Sequence, residues 1–199
     1  MVYGKRYAPT SIIGIDVTEV RVQKGREYVA KHQLSGMIDL RVGDATKLAF
    51  EPASFDKVIA VECAFHFGTR RDFLQEAARV LKPGGLLVMT DLVTRRGTDM
   101  TRFRLGEKAA NAHVQLYDPV NAYDADVYAG HLKDVGFGAI RIDSIQAFTL
   151  DPFVPALHRH ADRTRVRENA EGIHLHADRL GQIVEAGEDY VLVAARKGP

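Results

Sequence analysis

Acidic residues follow four short apolar segments of this 199-residue chain. These residues are Asp16, Asp44, Glu62 and Asp91. If each segment is a strand of a parallel sheet, the acids lie at its carboxyl edge, where open α/β sheets bind their ligands. A carboxylate at that edge can accept hydrogen bonds from both hydroxyls of a ribose. The pattern therefore predicts a nucleoside-binding edge, and Asp16 is its best-placed acid.

A single acid at such a position is ordinary, because aspartate is common in loops and at helix N-termini. Asp44 lies in the turn Gly43-Asp44-Ala45. That turn fits either a contact with the edge of an adenine ring or a structural Asx turn, and both interpretations stay open. Four acids after four apolar segments favour the ligand-binding interpretation for the set.

The elements that would position these acids follow from hydrophobic periodicity. In the first half of the chain, strands are predicted at 11–16, 37–42, 55–62 and 86–91. Helices are predicted at 18–34 and 70–81, the second with apolar residues spaced along one face. Because strands and helices alternate, we expect a parallel sheet with helices on both faces.

The second half of the chain has a different pattern. Residues 95–121 are polar and are interpreted as helical excursions over the sheet. The remaining segments predict helices at 123–135, 151–168 and 174–186, and strands at 139–148 and 189–196. The predicted fold is a doubly wound, mostly parallel α/β sheet with an antiparallel C-terminal strand and helical lid insertions.

Composition excludes several classes of protein. Hydrophobic residues make up 46% of the chain and charged residues 27%, as in an ordinary globular domain. The formal net charge of +1 gives no indication of a nucleic-acid or membrane partner. One cysteine, Cys63, excludes an internal disulfide and favours a cytoplasmic location. No metal site is predicted, because the two His-x-His pairs place their side chains on different helix faces.

Four motifs resemble those of the class I S-adenosylmethionine-dependent methyltransferases, and of their small-molecule "type 11" group in particular. The motifs are Ile12-Ile13-Gly14-Ile15-Asp16, Gly43-Asp44-Ala45, Phe55-Asp56-Lys57-Val58 and the stretch 79–87 around Lys82-Pro83-Gly84-Gly85. The segment 62–67 further resembles natural-product, sugar and amine methyltransferases. The resemblance implies a Rossmann-like fold, and an enzyme that methylates a small-molecule acceptor using S-adenosylmethionine.

The resemblance also assigns cofactor-binding residues. Asp16 would bind the ribose hydroxyls, Asp44 the adenine amino group with Ala45 nearby, and Glu62 would line the cofactor end of the pocket. The predicted set is completed by their neighbours Val17, Gly43 and Cys63. From its sequence surroundings, Cys63 is interpreted as a small buried residue and not as a nucleophile.

His66 is the candidate general base. It lies in the loop beyond the third predicted strand, and a base assists methyl transfer when the acceptor is a hydroxyl. In sugar methyltransferases with a similar loop, this histidine pairs with the acid that ends the next strand, here Asp91. The alternative is that His66 only packs between Phe65 and Phe67, and an amine or activated carbon acceptor would need no base.

One feature departs from the family pattern: no glycine-rich GxGxG motif precedes Asp16. The first strand and first helix of the family fold are therefore expected to lie outside this sequence, and methyl transfer is expected to be impaired. The alternative function is a non-catalytic remnant or binding subunit. We predict one domain over 1–199, with a cofactor half (1–93), a lid and acceptor region (94–188) and a final strand (189–199). A homodimer is a further expectation.

Overall fold

The computed structural model of the chain describes residues 9–98 and 119–199. Most of the predicted excursions at 95–121 therefore lie outside the described residues. The chain divides into two compact units, 1–51 and 52–199, which are described separately. The predicted organisation as one domain over 1–199, with its three regions, stays a prediction. Among the described residues, no helix has the length and hydrophobicity that a membrane span requires.

The smaller unit contains strand β1 (Ile12–Asp16), helix α1 (Glu19–Lys31) and strand β2 (Ile38–Val42). The two strands are parallel, and Asp16 is in register with Val42. The predicted alternation of strand and helix is therefore confirmed here. The loops that follow β1 and β2 leave from the same edge of this two-stranded sheet.

Close packing in the smaller unit depends on two glycines that face Leu40. A Cβ atom added at Gly14 would lie 2.5 Å from Leu40 Cδ2, and one at Gly25 would lie 2.6 Å from Leu40 Cδ1. Leu40 thus fills the space that the absent side chains of β1 and α1 leave. All five residues of β1 are half-buried, so this strand is less buried than its apolar sequence predicts.

The larger unit contains four strands and four α-helices among the described residues. They are β3 (Phe55–Val61), α2 (Arg70–Val80), β4 (Leu81–Thr94), α3 (Ala125–Asp134), β5 (Phe137–Ser144), α4 (Leu150–Arg163), α5 (Arg167–Ala186) and β6 (Glu188–Lys197). The strand order is β3-β4-β6-β5; β3 and β4 are parallel, whereas β6 is antiparallel to both neighbours. The predicted antiparallel C-terminal strand is confirmed.

Helix α2 packs on the sheet of the larger unit as its periodicity predicts. Its buried residues recur at helical spacing: Arg70, Phe73, Leu74, Ala77, Ala78 and Val80. Thr69 caps the helix by accepting a hydrogen bond from the N–H of Arg71 at 3.1 Å. The sheet contributes Leu87 and Met89 of β4 and Val193 of β6, all fully buried. This core fixes the carboxyl ends of β3 and β4.

Strand β4 begins earlier than predicted. The Lys82-Pro83-Gly84-Gly85 turn ends α2, yet the extended backbone already starts at Leu81, which pairs with Phe55 of β3. A register shift follows between Phe55 and Lys57, and Gly84 adopts a positive φ of 74°. The turn is therefore an irregular part of the strand, because glycine tolerates the conformation that the shift requires.

The C-terminal elements also differ in their boundaries from the sequence prediction. Strand β5 covers 137–144 in place of 139–148, and a short 3-10 helix occupies 146–148. The two predicted helices 151–168 and 174–186 become α4 and α5, with the break at 164–166. The hydroxyl of Thr164 donates to the carbonyl of His160 at 2.8 Å and closes the last turn of α4.

Candidate active site

Asp16 lies at the carboxyl end of β1, as predicted. Its Oδ1 accepts a hydrogen bond of 2.7 Å from the N–H of Thr18, which orients the carboxylate at the start of α1. Its Oδ2 lies 3.9 Å from Arg21 Nη1, and the side chain is 39% exposed. The neighbouring Val17 is 69% exposed. The carboxylate is thus held in place and is accessible to a ligand's hydroxyl groups.

The turn after β2 has the geometry of an Asx turn. Asp44 Oδ1 accepts hydrogen bonds from the N–H of Thr46 at 2.8 Å and from its hydroxyl at 2.7 Å. The bond from the Thr46 hydroxyl is the main cause of a lowered pKa of Asp44. The N–H of Gly43 donates to the Asp16 carbonyl at 3.0 Å, so the backbones of the two acidic turns are joined. The structural Asx turn is therefore formed, and the contact of Asp44 with an adenine ring stays a prediction.

Glu62 follows β3 directly and has a left-handed backbone, with φ of 55°. This conformation is costly for a residue with a side chain, by about 1–2 kcal/mol, and occurs often at functional sites. The N–H of Glu62 donates to the hydroxyl of Thr90 at 3.3 Å. Burial, followed by the side-chain hydrogen bond to Glu62, raises the pKa of Tyr190 to about 12. The predicted acid is therefore exposed, and it is hydrogen-bonded to residues of β4 and β6.

His66 ends a short 3-10 helix, Ala64–His66, and its side chain is exposed. The ring lies 4.2 Å from the ring of Phe65, at an interplanar angle of 50°. Phe65 itself is buried in a cluster with Leu92 and Tyr190. Cys63, which was predicted to be buried, is half-buried. The loop thus uses Phe65 for packing and leaves the imidazole of His66 accessible.

Asp91 is placed differently from the sequence prediction. It is fully buried in an ion pair with Arg70, with 2.8 Å between Asp91 Oδ2 and Arg70 Nε. Its carboxylate also accepts hydrogen bonds from the Tyr128 hydroxyl at 2.8 Å and the Leu92 N–H at 2.9 Å. Burial raises the pKa of Asp91, and the charge of Arg70 opposes that effect. Within the described residues, the bonds of this carboxylate do not include the predicted one to His66.

The buried ion pair is linked to the His66 loop through Asn121. The Asn121 side chain accepts a 2.9 Å bond from the N–H of Arg70 and donates a 2.8 Å bond to the carbonyl of Phe67. The guanidinium of Arg70 also donates to the carbonyl of Asn121. The cluster therefore fixes the backbone beside His66.

Sequence reasoning missed Arg70, Asn121 and Tyr128. One signal was present for Arg70, since it shares a helix face with Phe73, Leu74 and Ala77. A charge on an otherwise apolar face indicates a buried partner.

Glu188, the first residue of β6, belongs to the same buried region. Burial is the main cause that raises its pKa to about 8, and the charges of Arg70 and Asp91 act on it in opposite directions. Below that pH the Glu188 carboxyl is protonated, and the single charge of Arg70 is balanced by Asp91. The cluster then contains one cation and one anion, which a buried site tolerates better than an excess charge.

This raised pKa predicts a pH dependence of stability. Between the ordinary glutamate pKa of 4.5 and about 8, the folded state holds a proton that the unfolded state lacks. Raising the pH through this window therefore lowers the free energy of unfolding, by up to about 1.4 kcal/mol per pH unit from this group. Denaturant titrations at several pH values should give a shallower pH dependence for Glu188→Gln than for the wild type. Glu185→Gln, an exposed control, should keep the wild-type slope, and an unchanged slope in Glu188→Gln would contradict the assignment.

The first half of the chain is similar to a known protein family. Residues 2–89 match the sequence model of a family described as "Methyltransferase domain". Erythromycin 3''-O-methyltransferase from Saccharopolyspora erythraea is 28% identical over 154 residues, covering 73% of this chain and 49% of that protein. The 27-O-demethylrifamycin SV methyltransferase of Amycolatopsis mediterranei is 27% identical over 94% of this chain and 68% of its own length. The chain thus spans between about half and two thirds of these relatives.

Solved structures confirm the fold. Phosphoethanolamine N-methyltransferase 2 of Haemonchus contortus, solved in complex with S-adenosyl-L-methionine, has a TM-score of 0.82 at 19% identity. The alignment covers 99% of this chain and 45% of that one. The cyclase SpnF has a TM-score of 0.68 at 22% identity, covering 94% of this chain and 67% of its own. A Rossmann-like α/β fold is therefore shared by proteins named for different reactions.

Proposed function

We propose that the chain is a class I S-adenosylmethionine-dependent methyltransferase that transfers the methyl group of S-adenosylmethionine to a small-molecule acceptor, because residues 2–89 match the methyltransferase family model and the similar proteins are methyltransferases. The observation that carries the proposal is the position of the Asp16 carboxylate. Its carboxylate is oriented by the Thr18 N–H and remains accessible at the carboxyl end of a parallel strand. Such a carboxylate fits the paired hydroxyls of the cofactor's ribose.

Further residues are assigned to the cofactor in the proposal. In the smaller unit, Val17, Gly43, Asp44 and Ala45 surround the ends of β1 and β2. Asp44 would accept from the adenine amino group, for which its Oδ2 is the candidate atom, since Oδ1 already binds Thr46. In the larger unit the assigned residues are Glu62 and Cys63. The left-handed backbone of Glu62, with its bond to Thr90, supports a functional role.

When bound, S-adenosylmethionine would supply an already activated methyl group, so the protein's main task is orientation. His66 would accept the proton of an acceptor hydroxyl, and its exposure is compatible with that role. Asp91 would contribute indirectly, by holding Arg70 and, through Asn121, the backbone beside His66. Asp91 is therefore a positioning residue in this proposal.

A hydroxyl is the preferred acceptor in the proposal, because one similar protein is named an O-methyltransferase and another is named for a 27-O-demethyl compound. The first compound to test is 27-O-demethylrifamycin SV, the substrate in the name of the relative that aligns over most of this chain. A cytoplasmic location and a homodimer stay predictions. Cofactor binding without turnover on any acceptor would favour the alternative, a non-catalytic binding subunit.

Asp16→Ala is expected to weaken the binding of S-adenosylmethionine by about 2–4 kcal/mol, because it removes charge-assisted bonds to two hydroxyls. In titration calorimetry this corresponds to a dissociation constant raised about 30- to 900-fold. Asp16→Asn should retain part of the affinity, since the amide oxygen can still accept one bond.

The matched control is Asp39→Ala, which removes an exposed acid from β2 that pairs with Arg41. Its affinity for the cofactor should equal that of the wild type. Melting curves of all three variants establish that each is folded. If Asp16→Ala bound the cofactor as tightly as Asp39→Ala, the assignment of the ribose site would be wrong.

A further inference from the structure

The pattern His-x-His-Ala-Asp-Arg occurs twice in the chain, at 158–163 and at 174–179. The first copy lies on α4 and the second on α5. The alanines of the two copies, Ala161 and Ala177, are fully buried. Because these small residues lie on the packed side of each helix, the two helices can approach closely and present equivalent side chains to one another.

The side chains of the two copies form a crossed cluster. His158 Nδ1 lies 2.9 Å from His174 Nδ1, and the ring centroids are 5.2 Å apart. On the far side of each ring, Nε2 faces the aspartate of the other helix: His158 lies 3.5 Å from Asp178 Oδ1, and His174 lies 3.3 Å from Asp162 Oδ1. Each helix thus supplies one histidine and the carboxylate that orients the partner helix's histidine.

This arrangement favours one tautomer for each ring. A carboxylate beside Nε2 favours the tautomer with its proton on Nε2, which leaves the Nδ1 lone pair directed at the other ring. Two lone pairs that face each other at 2.9 Å need a cation between them, either a proton or a metal ion. Metal-bound histidines commonly donate the N–H of their second ring nitrogen to a carboxylate. Here Nε2 of both rings faces an aspartate and can do the same.

We propose that His158 and His174 bind a divalent transition-metal ion of the zinc type through their Nδ1 atoms, with Asp162 and Asp178 orienting the rings. Tetrahedral zinc with bonds of 2.0–2.1 Å separates two nitrogen ligands by about 3.3 Å, so the rings must move apart by about 0.4 Å. Both histidine side chains are more than one third exposed, which leaves room for that movement and for water ligands.

The site is open and not of the structural type. Among residues 9–98 and 119–199, no group of three or more histidine, cysteine, aspartate or glutamate side chains is arranged to hold a metal. Two nitrogens and water therefore make up the expected coordination, and the ion should exchange with solution. When bound, it would link α4 to α5 within the segment that was predicted to select the acceptor. The inference does not rest on methyl transfer.

The test is titration calorimetry of the untagged full chain with zinc chloride after removal of metal by a chelator. We expect one ion per chain and a zinc-dependent rise in melting temperature. His158→Ala and His174→Ala should each weaken binding at least tenfold, and Asp162→Asn with Asp178→Asn should weaken it about 10- to 100-fold. His160→Ala and His176→Ala, which remove the exposed histidines of the same two patterns, should bind zinc as the wild type does.

Two results would overturn the proposal. One is the absence of binding to the wild type at about 0.1 mM zinc, a concentration that detects even weak sites. The other is wild-type affinity in the double variant His158→Ala/His174→Ala, which would place any bound zinc elsewhere on the chain. His158→Gln and His174→Gln keep the side-chain volume closer to that of histidine, and their melting curves without zinc separate loss of the ligand from loss of the fold.

Discussion

Arg70→Met is expected to lower the free energy of unfolding by about 3–5 kcal/mol, the cost of breaking a buried ion pair by removing one partner. The substitution leaves Asp91 with no counter-charge at a position that is fully buried. It also removes the side-chain hydrogen bond to the Asn121 carbonyl, so a second buried polar group loses a donor. Urea denaturation followed by circular dichroism measures the change.

Arg71→Met is the matched control, because Arg71 is the next residue and is 53% exposed. It lies 4.0 Å from Asp134 in a surface ion pair. Such pairs contribute about 0–1 kcal/mol, so this variant should remain close to the wild type. The double variant Arg70→Met/Asp91→Asn should recover part of the stability that Arg70→Met loses, since no unpaired charge remains buried. A loss below about 1 kcal/mol in Arg70→Met would show that the cluster does not hold α2 against β4.

The parallel strands of the fold were predictable from local sequence. Ile12–Asp16 and Phe55–Val61 are rich in apolar and β-branched residues, and each is followed by a segment with helical features. Such patterns depend on a period of two or 3.6 residues, which can be counted without knowing what the segment packs against. Helix α2 was predicted to within one residue for the same reason.

Element boundaries near glycine and proline were less predictable. Lys82-Pro83-Gly84-Gly85 marks the end of α2 correctly, but it does not show that the turn continues as extended backbone paired with Phe55. That pairing depends on β3 and not on the turn itself, because the partner of Leu81 is Phe55, which lies 26 residues earlier in the chain. The break between α4 and α5 was predicted too late, at 169–173 and not at 164–166. It contains no glycine or proline, and a hydrogen bond from the Thr164 hydroxyl closes α4 there.

Residues of the candidate site were predictable where their place at the end of a strand is enough to identify them. Asp16, Asp44 and Glu62 occupy the strand ends that the sequence indicates. The partner of Asp91 was not predictable, because Arg70 precedes it by 21 residues and no local pattern joins them. The crossed cluster of His158 and His174 was missed for a similar reason, since each His-x-His pair was considered on its own helix.

The second large effect is expected at His66. If the acceptor is a hydroxyl, His66→Ala should lower turnover by about 10²–10⁴-fold, the usual contribution of a general base. Affinity for S-adenosylmethionine should change little, because the imidazole is exposed and the packing of this loop depends on Phe65. Formation of S-adenosylhomocysteine by the wild type and the variant, at saturating cofactor, gives the comparison.

Three companion measurements separate a base from a residue that only shapes the pocket. His66→Gln keeps a polar side chain of similar size but cannot accept the proton, so it should be as slow as His66→Ala. His32→Ala, at the exposed end of α1, should turn over as the wild type does. Asn121→Ala should lower turnover with less effect on cofactor binding, because it releases the carbonyl of Phe67 beside the base. A rate loss below about fivefold in both His66 variants would contradict the assignment of His66 as the general base, since general bases contribute at least about a hundredfold.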